Sequence, residues 1–226
     1  MKKTKIDWCD STINCVYGCP NGCEWCYGNV MNKRFHFCKD WNVPEWKPEH
    51  LKDFYAKKPR SIFVDSMSDI GTWQDEWLYA VLDAMRENQQ HRYLALTKTN
   101  TYRLYSKMLQ YSKEKGASAM LYLGKSVTTQ AQADILYRNR ETTDFLSVEP
   151  LLERIDMSKI IRSTATVIIG AETGNRKGKV IPQKSWVDEI VNLADESGIR
   201  VFMKGSLREI MGDDFRQDSL PWEVRR

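Results

Sequence analysis

Short apolar runs recur along the chain, and most of them stop at polar residues. The runs 12–17, 61–65, 93–96, 120–124, 145–148, 166–169 and 200–203 are rich in β-branched and aromatic side chains and read as buried strands. Between them lie stretches of helical period. Residues 74–90 place Trp77, Leu78, Val81, Leu82 and Met85 on one face, 101–112 place Leu104, Tyr105, Met108 and Leu109, and 131–138 carry Ile135 and Leu136. A helix beginning at Ser185 sets Trp186, Ile190, Leu193 and Ala194 on one stripe and meets a stop signal at Gly198. Residues 29–60 read as an irregular, partly helical connection, with a short helix at 49–55 ended by Pro59. Seven strands separated by helices or by loops too long for hairpins predict an α/β fold: a single-domain partial (β/α) barrel (TIM-like) of about six or seven mostly parallel strands. It spans residues 1–226, with a C-terminal extension at about 207–226. A full eight-strand barrel would be near its lower size limit at 226 residues.

Composition leaves that picture in place and narrows the setting. With 42% hydrophobic and 28% charged residues the chain is globular, without an internal repeat, a low-complexity stretch or a linker. No apolar run approaches the roughly 18 residues needed to span a bilayer. The N-terminal Met1-Lys2-Lys3-Thr4-Lys5-Ile6 lacks a secretory apolar region, so a cytoplasmic protein with no membrane partner is expected. A net charge of +4 permits a nucleic-acid partner but does not argue for one. All six cysteines fall within the first 38 residues, a distribution unsuited to disulfides stapling a whole fold and better suited to reduced thiols on a metal.

Three of those thiols form the most informative motif. Cys19, Cys23 and Cys26 stand in a loop of about residues 18–28 that also contains Gly18, Pro20 and Gly22, directly after the first apolar run. Spacings of three and two intervening residues let a tight loop aim all three sulfurs at one small object, and thiolates are the ligands preferred by iron–sulfur clusters and zinc. In a parallel barrel the working face lies at the C-terminal ends of the strands. Here those ends read Ser66, Ser68 and Asp69, then Thr97 and Lys98, Lys125 and Ser126, Ser147 and Glu149, Glu172 and Thr173, and Lys204 and Ser206. Each has an ordinary explanation alone: Asp69 as a helix cap, Glu149 as a strand terminator before proline, Lys98 as a solvated turn residue. Their recurrence at the same point of each unit points to a polar, ligand-holding mouth.

A Cys-x-x-x-Cys-x-x-Cys loop with the aromatic Trp25 before its third cysteine, following the first strand of a parallel α/β barrel, resembles the radical S-adenosylmethionine (SAM) superfamily. The wider chain looks most like an uncharacterised phage- and prophage-borne family with a three-cysteine loop. That likeness rests on Lys5-Ile6-Asp7-Trp8, Gly18-Cys19, Cys23-x-x-Cys26-Tyr27, Phe63-Val64-Asp65-Ser66-Met67-Ser68-Asp69, Leu96-Thr97-Lys98, Ser147-Val148-Glu149-Pro150-Leu151-Leu152, Gly170-Ala171-Glu172-Thr173-Gly174 and Phe202-Met203-Lys204. The first cysteine gap, often longer in that family, is here the radical-SAM one. The resemblance implies that Cys19, Cys23 and Cys26 ligate three irons of a [4Fe-4S] cluster whose fourth iron binds S-adenosyl-L-methionine. Trp25 or Tyr27 would then lie near the adenine. Ser66, Ser68 and Asp69 would hold the methionine amino group, Lys98 the carboxylate, and Ser126 with Glu149 the ribose hydroxyls. Glu172 and Lys204 are the candidates for substrate contact or proton transfer. An external one-electron donor of flavodoxin or ferredoxin type would reduce the cluster, and the resulting 5′-deoxyadenosyl radical would abstract hydrogen from a substrate, a nucleoside or nucleic acid among the classes permitted.

The competing expectation is a structural or regulatory zinc site without catalysis, in which Cys9, Cys15, His36 or Cys38 adds a fourth ligand to the three thiols. Cys9, Cys15 and Cys38 also permit a shifted ligand set or a second cluster, although a buried cysteine is more commonly an inert core residue.

Overall fold

The structure, a computed structural model, describes residues 4–116 and 120–224. Its strands are β1 (Ser11–Thr12), β2 (Val16–Tyr17), β3 (Glu45–Trp46), β4 (Ser61–Phe63), β5 (Arg92–Thr97), β6 (Leu121–Ser126), β7 (Phe145–Val148), β8 (Thr166–Ile169) and β9 (Arg200–Met203). Its α-helices are α1 (Tyr27–Phe35), α2 (Asp75–Glu87), α3 (Thr101–Lys115), α4 (Gln130–Arg138), α5 (Lys184–Glu196) and α6 (Arg208–Met211). Seven strands form one parallel sheet in the order β1-β4-β5-β6-β7-β8-β9, with helices α2 to α5 in the crossovers. This is the expected α/β class with the strand–helix order of a partial (β/α) barrel. No helix among the described residues is long and apolar enough to cross a membrane.

The first apolar run is divided. Only Ser11 and Thr12 join the sheet, pairing with Ile62 and Phe63, whereas Val16 and Tyr17 pair antiparallel with Trp46 and Glu45 in a separate ribbon. Asn14 marks the break: its Oδ1 accepts from Ser66 Oγ and from the Met67 backbone N–H, both at 3.0 Å.

Helix α1 is the element that hydrophobic periodicity does not announce. Its buried positions are Gly28 and Asn32. A Cβ on Gly28 would lie 2.5 Å from the Trp41 ring, so the helix packs there by having no side chain. The Asn32 amide donates to Cys38 O at 3.1 Å and accepts from Cys38 N at 3.0 Å, as a neighbouring backbone would.

The chain forms two compact units. The first comprises the residues up to Leu123 together with the segment from Trp222 onward. Its core is built on Ile62, Tyr93 and Leu123 from the strands, Val64 just after β4, Leu78, Val81, Leu82 and Met85 from α2, and Leu104 and Tyr111 from α3. Trp222, fully buried, donates from Nε1 to Trp8 O at 2.8 Å. The second unit, Gly124–Pro221, packs Leu146, Val148, Val167, Ile169, Val201 and Met203 against Val187, Ile190 and Ala194 of α5. Within it the segment expected to be an extension is structural: Leu207 and Met211 belong to the core, and residues 216–218 run antiparallel along β9 and cover its edge. A buried ion pair, Lys125 Nζ to Glu141 Oε2 at 3.0 Å, joins β6 to the turn after α4.

Candidate functional site

The cysteine loop starts at a glycine that nothing else can replace without strain. Gly18 has φ +104°, and a Cβ there would lie 3.0 Å from Trp41 O and 3.1 Å from Val43 O. Its N–H donates to Met67 O at 3.0 Å, and the next N–H, of Cys19, donates to Trp41 O at 2.6 Å, so the loop is anchored where its first thiol stands. The chain turns at Gly22 (φ +65°), closes through Cys26 N to Cys23 O at 3.2 Å, and enters α1 with Cys26 as N-cap. The Cys26 thiol accepts from Asn29 N at 3.4 Å. It occupies the helix end whose partial positive charge favours an anionic ligand.

Asp69 holds this loop to the ends of β4 and β5. Its Oδ2 accepts from Asn21 Nδ2 at 2.6 Å and from Lys98 N at 2.8 Å, and its Oδ1 accepts from Thr97 Oγ1 at 2.7 Å and Gly71 N at 2.9 Å. Gly71 makes room for this arrangement, since a Cβ there would lie 1.9 Å from Thr99 Oγ1. Asp65, the next buried carboxyl, accepts from Ile70 N and Leu96 N, and burial followed by the charge of Asp69 pushes it well above the usual carboxylate range. Of the neighbouring side chains, the Tyr27 hydroxyl donates to Ser66 O, Ser68 Oγ accepts from Trp73 Nε1 at 3.0 Å, and Trp25 is half-buried.

The three thiols lie within electrostatic reach of one another. Burial pushes Cys19 up to about 12, with Asp69, Cys26 and Cys23 adding in the same direction against a hydrogen bond from the Asn21 backbone. Cys23 is also raised, chiefly by burial, while the Lys98 ammonium opposes the rise. A bound cation would invert this balance, because it favours the thiolate that burial disfavours. Among the described residues no three His, Cys, Asp or Glu side chains are already drawn together around a metal position. The donor set nonetheless fits a thiophilic centre in chemistry and spacing: three half-buried thiols, free of disulfides, on one loop pinned at both ends.

The remaining cysteines separate by environment. Cys15 is sealed in the core of the first unit and pushed up to about 12 by burial. Cys38 belongs with Trp41 and Met67 to a small buried cluster against which Cys19, Cys26, Tyr17 and Phe37 pack.

The second unit gathers its own polar strand ends. Ser126 is the register partner of Ser147, whose Oγ donates to Glu149 Oε1 at 3.0 Å, and the other Glu149 oxygen pairs with Lys204. Ser206 Oγ accepts from Ala171 N at 3.0 Å. Glu172 is buried and clamped by Arg176, with Nε at 2.6 Å and Nη2 at 2.7 Å, and it accepts from Val180 N at 3.2 Å. The Arg176 guanidinium holds its carboxyl below the ordinary range despite burial.

Sequence reading singled out Asp69, Thr97 and Lys98 but missed Asn21, which donates to Asp69, Asn14, which accepts from Ser66 and Met67, and Arg176. Only Arg176, four residues after Glu172, carried a spacing signal. A family model described as "Protein of unknown function (DUF5131)" matches residues 3–210. No curated protein and no solved structure matches the chain.

Proposed function

We propose that this chain, which belongs to the protein family of unknown function DUF5131, is a cytoplasmic radical S-adenosylmethionine enzyme whose Cys19, Cys23 and Cys26 hold a [4Fe-4S] cluster. The observation that carries this reading is the pinned three-thiol loop beside the polar ends of β4 and β5. Three protein thiolates leave one cluster position for a cofactor, and when bound the cluster with SAM supplies one-electron chemistry and hydrogen abstraction. The chain's own residues then bind and orient. Asp69 and Asn21 fix the loop, and Asn14 fixes the 66–67 backbone to which Tyr27 is tied. Lys98, whose charge acts on Cys23, would neutralise a carboxylate of the cofactor. Trp25 and Tyr27 offer apolar faces to the adenine, and Ser66 and Ser68 offer polar atoms to the amino group. Within the second unit, Ser147 and Lys204 orient Glu149, and Ser126 is the register partner of Ser147. Glu172, held ionised by Arg176, serves contact and charge rather than proton donation at neutral pH.

A zinc site is the second reading, and one observation favours it: Cys38 lies in the buried cluster that Cys19 and Cys26 pack against, which makes it the natural fourth thiolate. Anaerobic purification followed by iron, sulfide and zinc analysis separates the two. The cluster reading expects brown protein with about four irons per chain. Iron should be lost on Cys→Ala change at positions 19, 23 or 26 and retained in Cys38→Ala. Colourless zinc-loaded protein that loses its metal in Cys38→Ala would establish the zinc site instead.

A further inference from the structure

Ahead of β1 and β4, at the ends of these parallel strands remote from Asp69 and the cysteine loop, the first unit holds a cavity of about 450 Å³. One wall is the segment 4–10 and the other is 58–60. Both walls are fixed. Asp10 N donates to Ser61 O at 3.0 Å, and Asp10 Oδ2 accepts from Ser61 N at 2.9 Å and from Ser61 Oγ at 3.0 Å, which staples the two strand entries together. Trp8, buried with its ring 4.8 Å from that of Phe63, holds the first wall down, and Arg60 O accepts from Arg92 N at 2.9 Å to hold the second.

The charge in this cavity is lopsided. Lys5, Lys58 and Arg60 all line it, and among the described residues no carboxylate stands within ion-pair distance of any of the three. Of the two carboxylates that also line it, Asp10 already serves Ser61, and Asp7 stands on the same wall as Lys5. The excess of positive charge in a concave site favours an anion. Arg60 contributes a planar fork of donors matched to phosphate oxygens, and the two lysines contribute point charges. The volume lies in the range of sites for small molecules. None of the described lining residues is aromatic, so the cavity offers no stacking face to a nucleobase, and its apolar members are Ile6 and Pro59.

We propose that this cavity binds a phosphorylated sugar, with Lys5, Lys58 and Arg60 taking the phosphate and Asp7 accepting from the sugar hydroxyls. Because it stands at the strand entries, away from the thiols, the site is independent of whichever metal the cysteine loop holds.

The test is isothermal titration of the full chain with ribose 5-phosphate, which should show saturable binding that weakens as salt is raised. Inorganic phosphate should compete for the site, and ribose should not bind. Lys58→Glu and Arg60→Gln should each weaken ribose 5-phosphate binding by about tenfold or more. If Arg60→Gln disturbs the fold, Lys58→Glu, at an exposed position, carries the same expectation alone. Lys179→Gln, at an exposed position of the second unit, should bind as the wild type, which separates a built site from general attraction to a basic surface. Adenosine monophosphate should bind no tighter than ribose 5-phosphate, because the cavity has no ring to receive the base. Folded variants that bind ribose 5-phosphate undiminished would overturn the proposal, as would wild-type protein that takes up neither ribose 5-phosphate nor inorganic phosphate, or a clear preference for the adenine nucleotide.

Discussion

At Asp69 both carboxylate oxygens are engaged by the chain itself, two bonds on each, from Asn21 of the cysteine loop and from Gly71, Thr97 and Lys98. Its role is therefore to position rather than to contact, and the consequences of losing it are structural as well as functional. Asp69→Ala should lower stability by about 2–4 kcal/mol, because Thr97, Gly71 and Lys98 lose a charged acceptor in a buried setting. Urea unfolding measures that loss, and iron retention should fall with it while Asp69→Asn keeps part of both. Cys15 behaves oppositely. Sealed in the core, it contributes only packing, so Cys15→Ala should cost about 1 kcal/mol and leave iron content unchanged. Iron loss in Cys15→Ala would shift the ligand set toward the earlier cysteine.

Among elements, legibility in the sequence followed burial. The parallel strands are apolar on both faces, so runs such as 145–148, 166–169 and 200–203 could be read without knowing their neighbours, and α2, α3 and α5 announced themselves through their stripes. Helix α1 was illegible because its packing depends on a missing side chain at Gly28 and an amide at Asn32, neither of which enters a hydrophobic pattern. The division of the first apolar run was illegible for a similar reason, since a single asparagine bonded 52 residues away does the dividing. The loop's three thiols were plain from spacing, whereas the Asp69 network joins residues from three segments, 21, 69–71 and 97–98, and has no local signature. At the level of β6 and the turn after α4, the Lys125–Glu141 pair gives a further prediction. Glu141→Ala should cost about 3–5 kcal/mol by removing the carboxylate partner of a buried ammonium, and an apolar replacement of both partners should recover much of that loss. Chemical denaturation of the single and double variants decides it.

Acid sensitivity of the molecule has contributions from His91 and Glu172, beside the lowered carboxyls of Glu45, Asp156 and Asp218. His91 is buried, with Nε2 3.1 Å from Phe54 O, and burial lowers it from 6.5. The unfolded chain therefore takes up this proton first, and the stability associated with neutral His91 is lost as pH falls through about 6.5 toward the lowered folded value. Glu172 is lowered from 4.5 by Arg176, so its contribution is present above that value and is lost as pH falls through the folded one. Urea midpoints against pH should thus decline in an upper and a lower window. His91→Gln should flatten the upper window and Arg176→Gln should reduce the slope of the lower, whereas unchanged slopes would remove these assignments.

The reading of the whole chain as a radical SAM enzyme is tested most directly by one measurement: anaerobically reconstituted protein is incubated with SAM and a reductant, and 5′-deoxyadenosine is quantified alongside iron. About four irons per chain are expected, with a slow, reductant-dependent release of 5′-deoxyadenosine that disappears in Cys19→Ala, Cys23→Ala and Cys26→Ala. Protein that carries zinc instead of iron, shows no affinity for SAM and releases no 5′-deoxyadenosine would contradict it.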